Sequence, residues 1–143
     1  MLLHDAMAAC REAIIQTWQE WVRDTLVPES MPTIELRDHL PRFVEEIIVA
    51  LRTLSESTPL PPIDAAGGTA AEHGAQRLRL GFKLDAVVRE YGLLHDAILG
   101  SVLAIGYRPT LGELHVLHSY TIEGIARAVT EYSRQRDTEL GRD

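Results

Sequence analysis

A group of charged and hydrogen-bonding side chains recurs at helical spacing in the middle of the chain. His73 and Arg77 lie four residues apart, so on a helix they project from one face. Glu90 follows, flanked by Arg89 and Tyr91. A carboxylate, a guanidinium and an imidazole can pair with one another, and together they can bind a small molecule or a partner protein. These five side chains are therefore the first candidates for a binding site.

Two interpretations of this group remain open. In the first it is a structural network, in which Arg77 and Glu90 pair or cap helix ends. In the second it is a pocket for a ligand or partner. Buried polar groups are usually satisfied within the protein, which favours the network.

Other kinds of chemistry find little support in the sequence. It has no glycine-rich phosphate loop, His-Glu-x-x-His, Gly-x-Ser-x-Gly or Cys-x-x-Cys motif, so we expect no enzyme activity. His115 and His118 could reach one metal ion from a helix, but no further ligand falls at a matching position, so we predict no metal. His95 and His118 lie beside apolar positions, as a globin's iron ligand would, yet a hydrogen-bonded histidine is commoner there. We predict no cofactor.

The composition limits the kinds of protein that this chain can be. Its 143 residues suit one domain, with 45% hydrophobic and 24% charged residues as in ordinary globular proteins. Fourteen basic and 21 acidic residues give a net charge of −7, which argues against nucleic acid as a partner. No apolar run is long enough for a membrane span, no signal peptide is evident, and the lone Cys10 fits a reducing compartment. We therefore expect a cytoplasmic protein.

The elements that carry the candidate residues read as helices throughout. Apolar residues recur at steps of three and four, and no segment alternates with the period of a strand. We predict an all-α bundle of five to six helices, arranged either up-and-down or like a globin without haem. The predicted helices span 4–27, 41–54, 70–80, 83–105 and 111 to about 140, with a short helical turn near 33–40 and a proline- and glycine-rich loop over 55–69.

Two further features of these helices carry predictions. Gly92 and Gly100 lie inside the fourth helix, which suggests that a neighbouring helix approaches closely there. Thr110 and Glu113 match a capping box at the start of the last helix. The apolar stripe of that helix consists of Leu111, Leu114, His118, Ile122, Ile125, Val129 and Tyr132.

Two motifs resemble a known family. They are Asp38-His39-Leu40-Pro41 and His73-Gly74-x-x-Arg77-x-x-x-Gly81-Phe82-x-Leu84-x-x-x-Val88-Arg89-Glu90-Tyr91-x-x-Leu94. The chain resembles, over about residues 10–140, the N-terminal sensor-type domain shared by RsbT co-antagonist proteins of the stressosome and by many soluble bacterial sensor histidine kinases. The resemblance adds His39 to the candidate binding residues.

The resemblance implies a non-catalytic input domain placed before an output module. Residues 1–132 would form the sensory or regulatory domain, and 133–143 would begin a signalling helix. The implied partners are a second copy of the chain and a downstream output domain or signalling protein. The phosphoacceptor and nucleotide-binding motifs of a kinase are missing, so this chain alone would not phosphorylate anything. The alternative hypotheses are a stand-alone interaction module that binds through the loop 55–69 and, less favoured, a binder of haem or another small cofactor.

Overall fold

Six helices form the part of the chain that the structure describes. The computed structural model describes residues 1–25, 39–55 and 64–141, and no strand occurs among them. The all-α bundle predicted from the sequence is confirmed, whereas its likeness to a globin stays a prediction. None of the described helices is both long and apolar enough to cross a membrane. The helices are α1 (Leu3–Ala9), α2 (Arg11–Thr25), α3 (Leu40–Ser55), α4 (Asp64–Arg79), α5 (Leu84–Ala104) and α6 (Leu111–Glu139).

The sequence predicts one continuous helix over 4–27, and this prediction is wrong. The helix breaks at Cys10, whose backbone leaves the helical region at φ −115° and ψ 23°. The buried Cys10 thiol donates a hydrogen bond to the carbonyl of Ala6, 3.1 Å away. The break lets α1 pack on α3 and α5 while α2 runs along α5. Each piece thus buries its own apolar face, and packing overrides the continuous helical pattern.

The predicted loop over 55–69 is shorter than expected. Helix α4 begins at Asp64, so Gly67 and Gly68 lie inside its first turns although glycine disfavours helix. Residues 56–63 of that loop lie outside the described residues, as do positions 33–38 of the predicted helical turn. The predictions for α3 and α5 are confirmed to within one residue at each end.

Helix α6 begins where the sequence places it and then buries an unexpected face. Thr110 and Glu113 form the predicted capping box: the Thr110 hydroxyl accepts from the Glu113 N–H at 3.1 Å, and the Glu113 carboxylate accepts from the Thr110 N–H at 3.0 Å. Much of the apolar stripe faces outward, with Leu111 85% and Ile122 50% exposed. Only Tyr132 of that stripe is buried, and the rest of the buried face is made of Glu113, Val116, Leu117, Tyr120, Thr121, Gly124 and Ala128.

Two glycines explain this choice of face. A Cβ atom on Gly74 of α4 would overlap the carbonyl of Ala128 on α6, and one on Gly124 would lie 2.7 Å from the Phe43 ring and 2.9 Å from the Tyr91 ring. Among its neighbours, α6 packs most extensively on α4. Small residues therefore bring these helices together more closely than larger apolar side chains allow.

The close approach predicted at Gly92 and Gly100 is wrong. A Cβ atom at either position would meet no atom of the described residues within 4 Å. Both glycines instead line shallow surface grooves beside α2, with volumes of about 570 Å³ at Gly92 and about 420 Å³ at Gly100. Spacing along one helix cannot show which of its faces meets a neighbour.

The two kinds of glycine should respond oppositely to alanine. Gly74→Ala forces α4 away from α6, so the free energy of unfolding should fall by at least about 1–3 kcal/mol, the usual effect of overpacking. Gly92→Ala enters open space within a helix and should leave stability unchanged or raise it by up to about 1 kcal/mol. Urea unfolding followed by circular dichroism measures both variants. Equal effects would contradict the close contact of α4 with α6.

Candidate functional site: a buried ionic cluster between α4 and α5

A tight reversal of the chain brings the candidate residues together. Helix α4 ends at Arg79, and α5 begins at Leu84. Gly81 takes φ 86°, a left-handed conformation that glycine adopts at little cost. The N–H of Phe82 then donates to the carbonyl of Arg77 at 3.0 Å. The last turns of α4 are thereby folded against the first turns of α5.

The centre of the site is the carboxylate of Glu90. Arg77 Nε donates to both of its oxygens, at 3.0 Å and 3.1 Å, and His73 Nε2 lies 3.1 Å from Oε1. The exposed fraction of the side chain is 0% for Arg77 and Glu90 and 1% for His73. Because an ionised carboxylate only accepts hydrogen bonds, His73 Nε2 carries the proton that it shares with Glu90. We call these three residues the ionic cluster.

Aromatic rings enclose the ionic cluster. The Arg77 guanidinium lies 4.8 Å from the centre of the Phe82 ring, within the range of a cation–π contact. The Tyr91 ring stands edge-on to His73, with ring centres 5.7 Å apart. Trp18 of α2 donates its indole N–H to the backbone carbonyl of Glu90 at 3.0 Å. The cluster therefore ties α2, α4 and α5 together in surroundings from which water is excluded.

Burial and the neighbouring groups shift the pKa of Glu90 in opposite directions. Burial alone raises the pKa of a carboxyl group, but the charges of His73 and Arg77 and their hydrogen bonds outweigh it and lower the pKa of Glu90. Burial, and then the Glu90 charge, raises the pKa of Tyr91 well above its usual value. Glu90 is thus ionised at neutral pH, and the Tyr91 phenol stays protonated.

A row of polar side chains leads from the ionic cluster toward the surface. The His39 ring stands edge-on to His73, with ring centres 5.9 Å apart. His39 Nε2 lies 3.5 Å from the half-exposed carboxylate of Glu72, which also lies 3.7 Å from exposed Arg42. The contacts of Glu72 with His39, just before α3, and with Arg42 of α3 therefore link α3 to α4 beside the ionic cluster.

Two buried polar atoms beside this row make no hydrogen bond to any residue in the described part of the chain. They are His73 Nδ1 and Glu46 Oε2. The other oxygen of Glu46 accepts from the Thr69 hydroxyl at 2.8 Å. Burial, which outweighs the contacts with Thr69 and Arg42, raises the pKa of Glu46. Both atoms lie on side chains at the contact of α3 with α4.

The structure brings together five of the six candidate residues. His73 contacts His39, Tyr91 and Glu90, and Glu90 in turn pairs with Arg77 as in the network interpretation. The sixth, Arg89, lies apart on the exposed face of α5, where its Nε is 3.3 Å from Asp85. A role in binding a ligand or partner stays a prediction for all six.

Sequence reasoning missed several residues of the site. Trp18 and Phe82 contact the cluster, but neither is among the candidates that the sequence provides. Glu46 and Thr69, which pair beside the cluster, are not among those candidates either. One signal in the sequence points to Glu46. It lies three residues after Phe43, so on a helix its carboxylate lies next to the buried face.

A second buried carboxylate anchors the N terminus of the fold. Glu113 accepts hydrogen bonds from the Leu3 N–H at 2.8 Å and from the Tyr107 hydroxyl at 2.6 Å. Burial alone would raise the pKa of Glu113, but these hydrogen bonds and those from Thr110 lower it. Burial, followed by the contact with Glu113, raises the pKa of Tyr107 to about 12. Glu113 thus fixes α1 to the start of α6.

Comparison with known proteins decides the family. The family model described as the N-terminal domain of the RsbT co-antagonist protein RsbRD matches residues 5–143. The chain belongs to this family. The match confirms the resemblance to co-antagonist domains and makes the chain a regulatory signalling domain, but it does not extend to histidine kinases. No curated protein and no solved structure matches the chain.

Removing the charge of Glu90 should destabilise this family member and change its response to acid. Glu90→Gln leaves Arg77 as a buried unpaired cation, so the free energy of unfolding near pH 7 should fall by about 3–5 kcal/mol. The folded pKa of Glu90 lies below its unfolded value of about 4.3, so its contribution is present above that value and is lost as pH falls through the folded pKa. Urea unfolding at a series of pH values should therefore show a shallower acid decline for the variant.

Asp85→Asn is the matched control. It removes an exposed carboxylate that pairs with Arg89, and such pairs contribute about 0–1 kcal/mol. If the two variants lost equal stability near pH 7, or if both kept the full acid decline, Glu90 would not be the carboxylate on which the cluster depends.

Proposed function

We propose that the chain is a non-catalytic sensory or regulatory input domain of a bacterial signal-transduction protein. In this proposal a signal changes the packing of α4 and α5, and α6 carries that change to an output module. The observation that carries the proposal is the contact of α6 with the element that holds the ionic cluster. Gly74, where α4 lies against Ala128 of α6, is the residue after His73.

A second contact supports transmission through α6. The Tyr132 hydroxyl donates to the carbonyl of Phe82 at 2.7 Å, so α6 is bonded to the loop whose aromatic ring covers Arg77. Tyr132 is also the last buried residue of α6, which continues as a helix to Glu139. A shift of the cluster or its loop would therefore reach α6 through a hydrogen bond and through closely packed backbones, and the solvated end of α6 would follow.

The outward face of α6 supports a homodimer. Its residues are spaced alternately by four and three, which is the spacing of a helix that packs along a second helix. Leu111 and Ile122 are the most exposed apolar residues on it, and Ile125 and Val129 are half-buried. A twofold axis beside α6 would bury the same residues of both copies. We call this face the α6 seam; it consists of Leu111, His115, His118, Ile122, Ile125 and Val129.

The family gives the proposal its context. The output module is either of the stressosome type or a histidine kinase, with residues 133–143 as the start of the signalling helix. Its partners are a second copy of the chain and a downstream signalling protein, and its compartment is the cytoplasm. The candidate contacts for the signal are His39, His73, Arg77, Arg89, Glu90 and Tyr91.

A charge on the α6 seam should break the dimer. Ile122→Glu places a carboxylate opposite its own copy across the twofold axis, where like charges repel each other. We expect the wild-type chain to elute as a dimer and this variant as a monomer in size-exclusion chromatography with light scattering. Val49→Glu, at an exposed apolar residue of α3, is the control and should remain dimeric. A monomeric wild-type chain would refute the dimer.

Output should depend on the bond between α6 and the cluster's loop. When the domain is fused through α6 to a histidine kinase core, Tyr132→Phe should change the rate of autophosphorylation several-fold, because it removes the hydrogen bond to Phe82 but keeps the ring. Thr138→Val is the control, since its hydroxyl donates to the carbonyl of Arg134 at the exposed end of α6, away from the cluster's loop. Unchanged output in a folded Tyr132→Phe fusion, or an equal change in the control, would contradict transmission by this route.

A further inference from the structure

Two histidines face each other on the outer surface of the α5–α6 pair. The ring centres of His95 on α5 and His118 on α6 are 6.2 Å apart, and the rings meet at 81°. Within the described part of the chain, the only polar contact of either ring is the 4.0 Å approach of Asp96 to His95 Nδ1. His118 is exposed to solvent, and no described side chain hydrogen-bonds to its ring nitrogens or competes with a metal ion for them.

The spacing of the two rings is close to that of a shared metal ion. Imidazole nitrogens bind zinc at about 2.0–2.1 Å in tetrahedral geometry, which puts the centres of two such rings about 5 Å apart. The rings of His95 and His118 would have to approach by about 1 Å. His118 is exposed and only 23% of the His95 side chain is accessible, so rotation of the His118 side chain can supply most of that movement.

The described residues of a single chain do not complete the site. Among residues 1–25, 39–55 and 64–141, no three His, Cys, Asp or Glu side chains are grouped so that they could hold a metal ion. Two imidazoles leave two positions of a tetrahedral ion open. The described residues of one chain therefore leave these two positions to ligands from elsewhere.

A second copy would supply them in the dimer proposed above. His118 is a residue of the α6 seam, and in a twofold interface every residue near the axis comes close to its own copy. A twofold axis that passes beside His118 places the His118 of the second copy, together with its adjacent His95, around the same position. Four imidazoles would then surround that position, a nitrogen-only set that suits zinc and its neighbours among the divalent transition metals. The net charge of −7 on each chain also favours a cation between two copies.

We propose that His95 and His118 of two copies together bind one divalent transition-metal ion, of which zinc is the representative, at the α6 seam. The proposal rests on the dimer described under the proposed function. The ion would join α5 to α6 within each copy and each α6 to its counterpart. It would thus act on the helix that carries the output, at a place separate from the ionic cluster.

Zinc titration of the untagged chain tests the proposal. Isothermal titration calorimetry should give one ion for every two chains, and Co²⁺ as a spectroscopic probe should show the visible absorption of a tetrahedral nitrogen site. His118→Ala and His95→Gln should each weaken zinc binding at least tenfold. His4→Gln is the matched control, because it removes a histidine of α1, which is not part of the α6 seam, and should leave zinc binding unchanged. Loss of zinc binding in His4→Gln, or its retention in either of the other two variants, would overturn the assignment.

Light scattering with EDTA or with zinc separates this proposal from the dimer itself. A dimer that forms in EDTA but binds no zinc overturns the metal site and leaves the proposed function intact. A chain that is monomeric in both conditions and binds one ion per chain overturns both the shared site and the dimer. Dimerisation that zinc strengthens in the wild-type chain but not in His118→Ala supports the shared site.

Discussion

A carboxylate that water cannot reach must be neutralised by the protein, and Glu90 imposes that requirement on the whole bundle. Its charge can be buried only where Arg77 and His73 meet it, which fixes the last turns of α4 against the first turns of α5. The same residue's backbone carbonyl accepts from Trp18, so α2 is fixed as well. One charge thus determines the relative positions of three helices that apolar burial alone would allow to slide.

The second constraint is the absence of side chains at Gly74 and Gly124. Close packing at these positions lets α6 lie almost directly on the backbone of α4 and on the rings of Phe43 and Tyr91. Packed interiors pass from one arrangement to another rather than deforming continuously. A change in the position of His73 should therefore also move α6. The ionic cluster and the glycine contact therefore form one mechanical unit, although the first is held by charge and the second by shape.

Local patterns predicted much of the fold. The apolar positions of α3 and α5, the capping box of Thr110 and Glu113, and the break between the helices at Gly81 all follow from residues within a few positions of each other. The spacing of His73 and Arg77 likewise placed them on one face. The sequence predictions were wrong where contacts with distant residues determine the structure. These places are the break at Cys10, the helical start at Asp64, and the buried face of α6, which contains Gly124. Arg89 lies outside the cluster although it is next to Glu90 in the sequence. The Glu90 carboxylate is buried on one face of α5, whereas the Arg89 guanidinium is exposed on another.

The length of α6 beyond its contact with α4 has a mechanical consequence. Helix α6 contains 29 residues without interruption. From Ala128, where it touches α4, to its end at Glu139 is about 16 Å at a rise of about 1.5 Å per residue. A tilt of about 10° around that contact would displace the end of the helix by about 3 Å, given the same rise. A movement at Gly74 too small to expose the ionic cluster to water is therefore amplified into a displacement comparable with the length of a hydrogen bond.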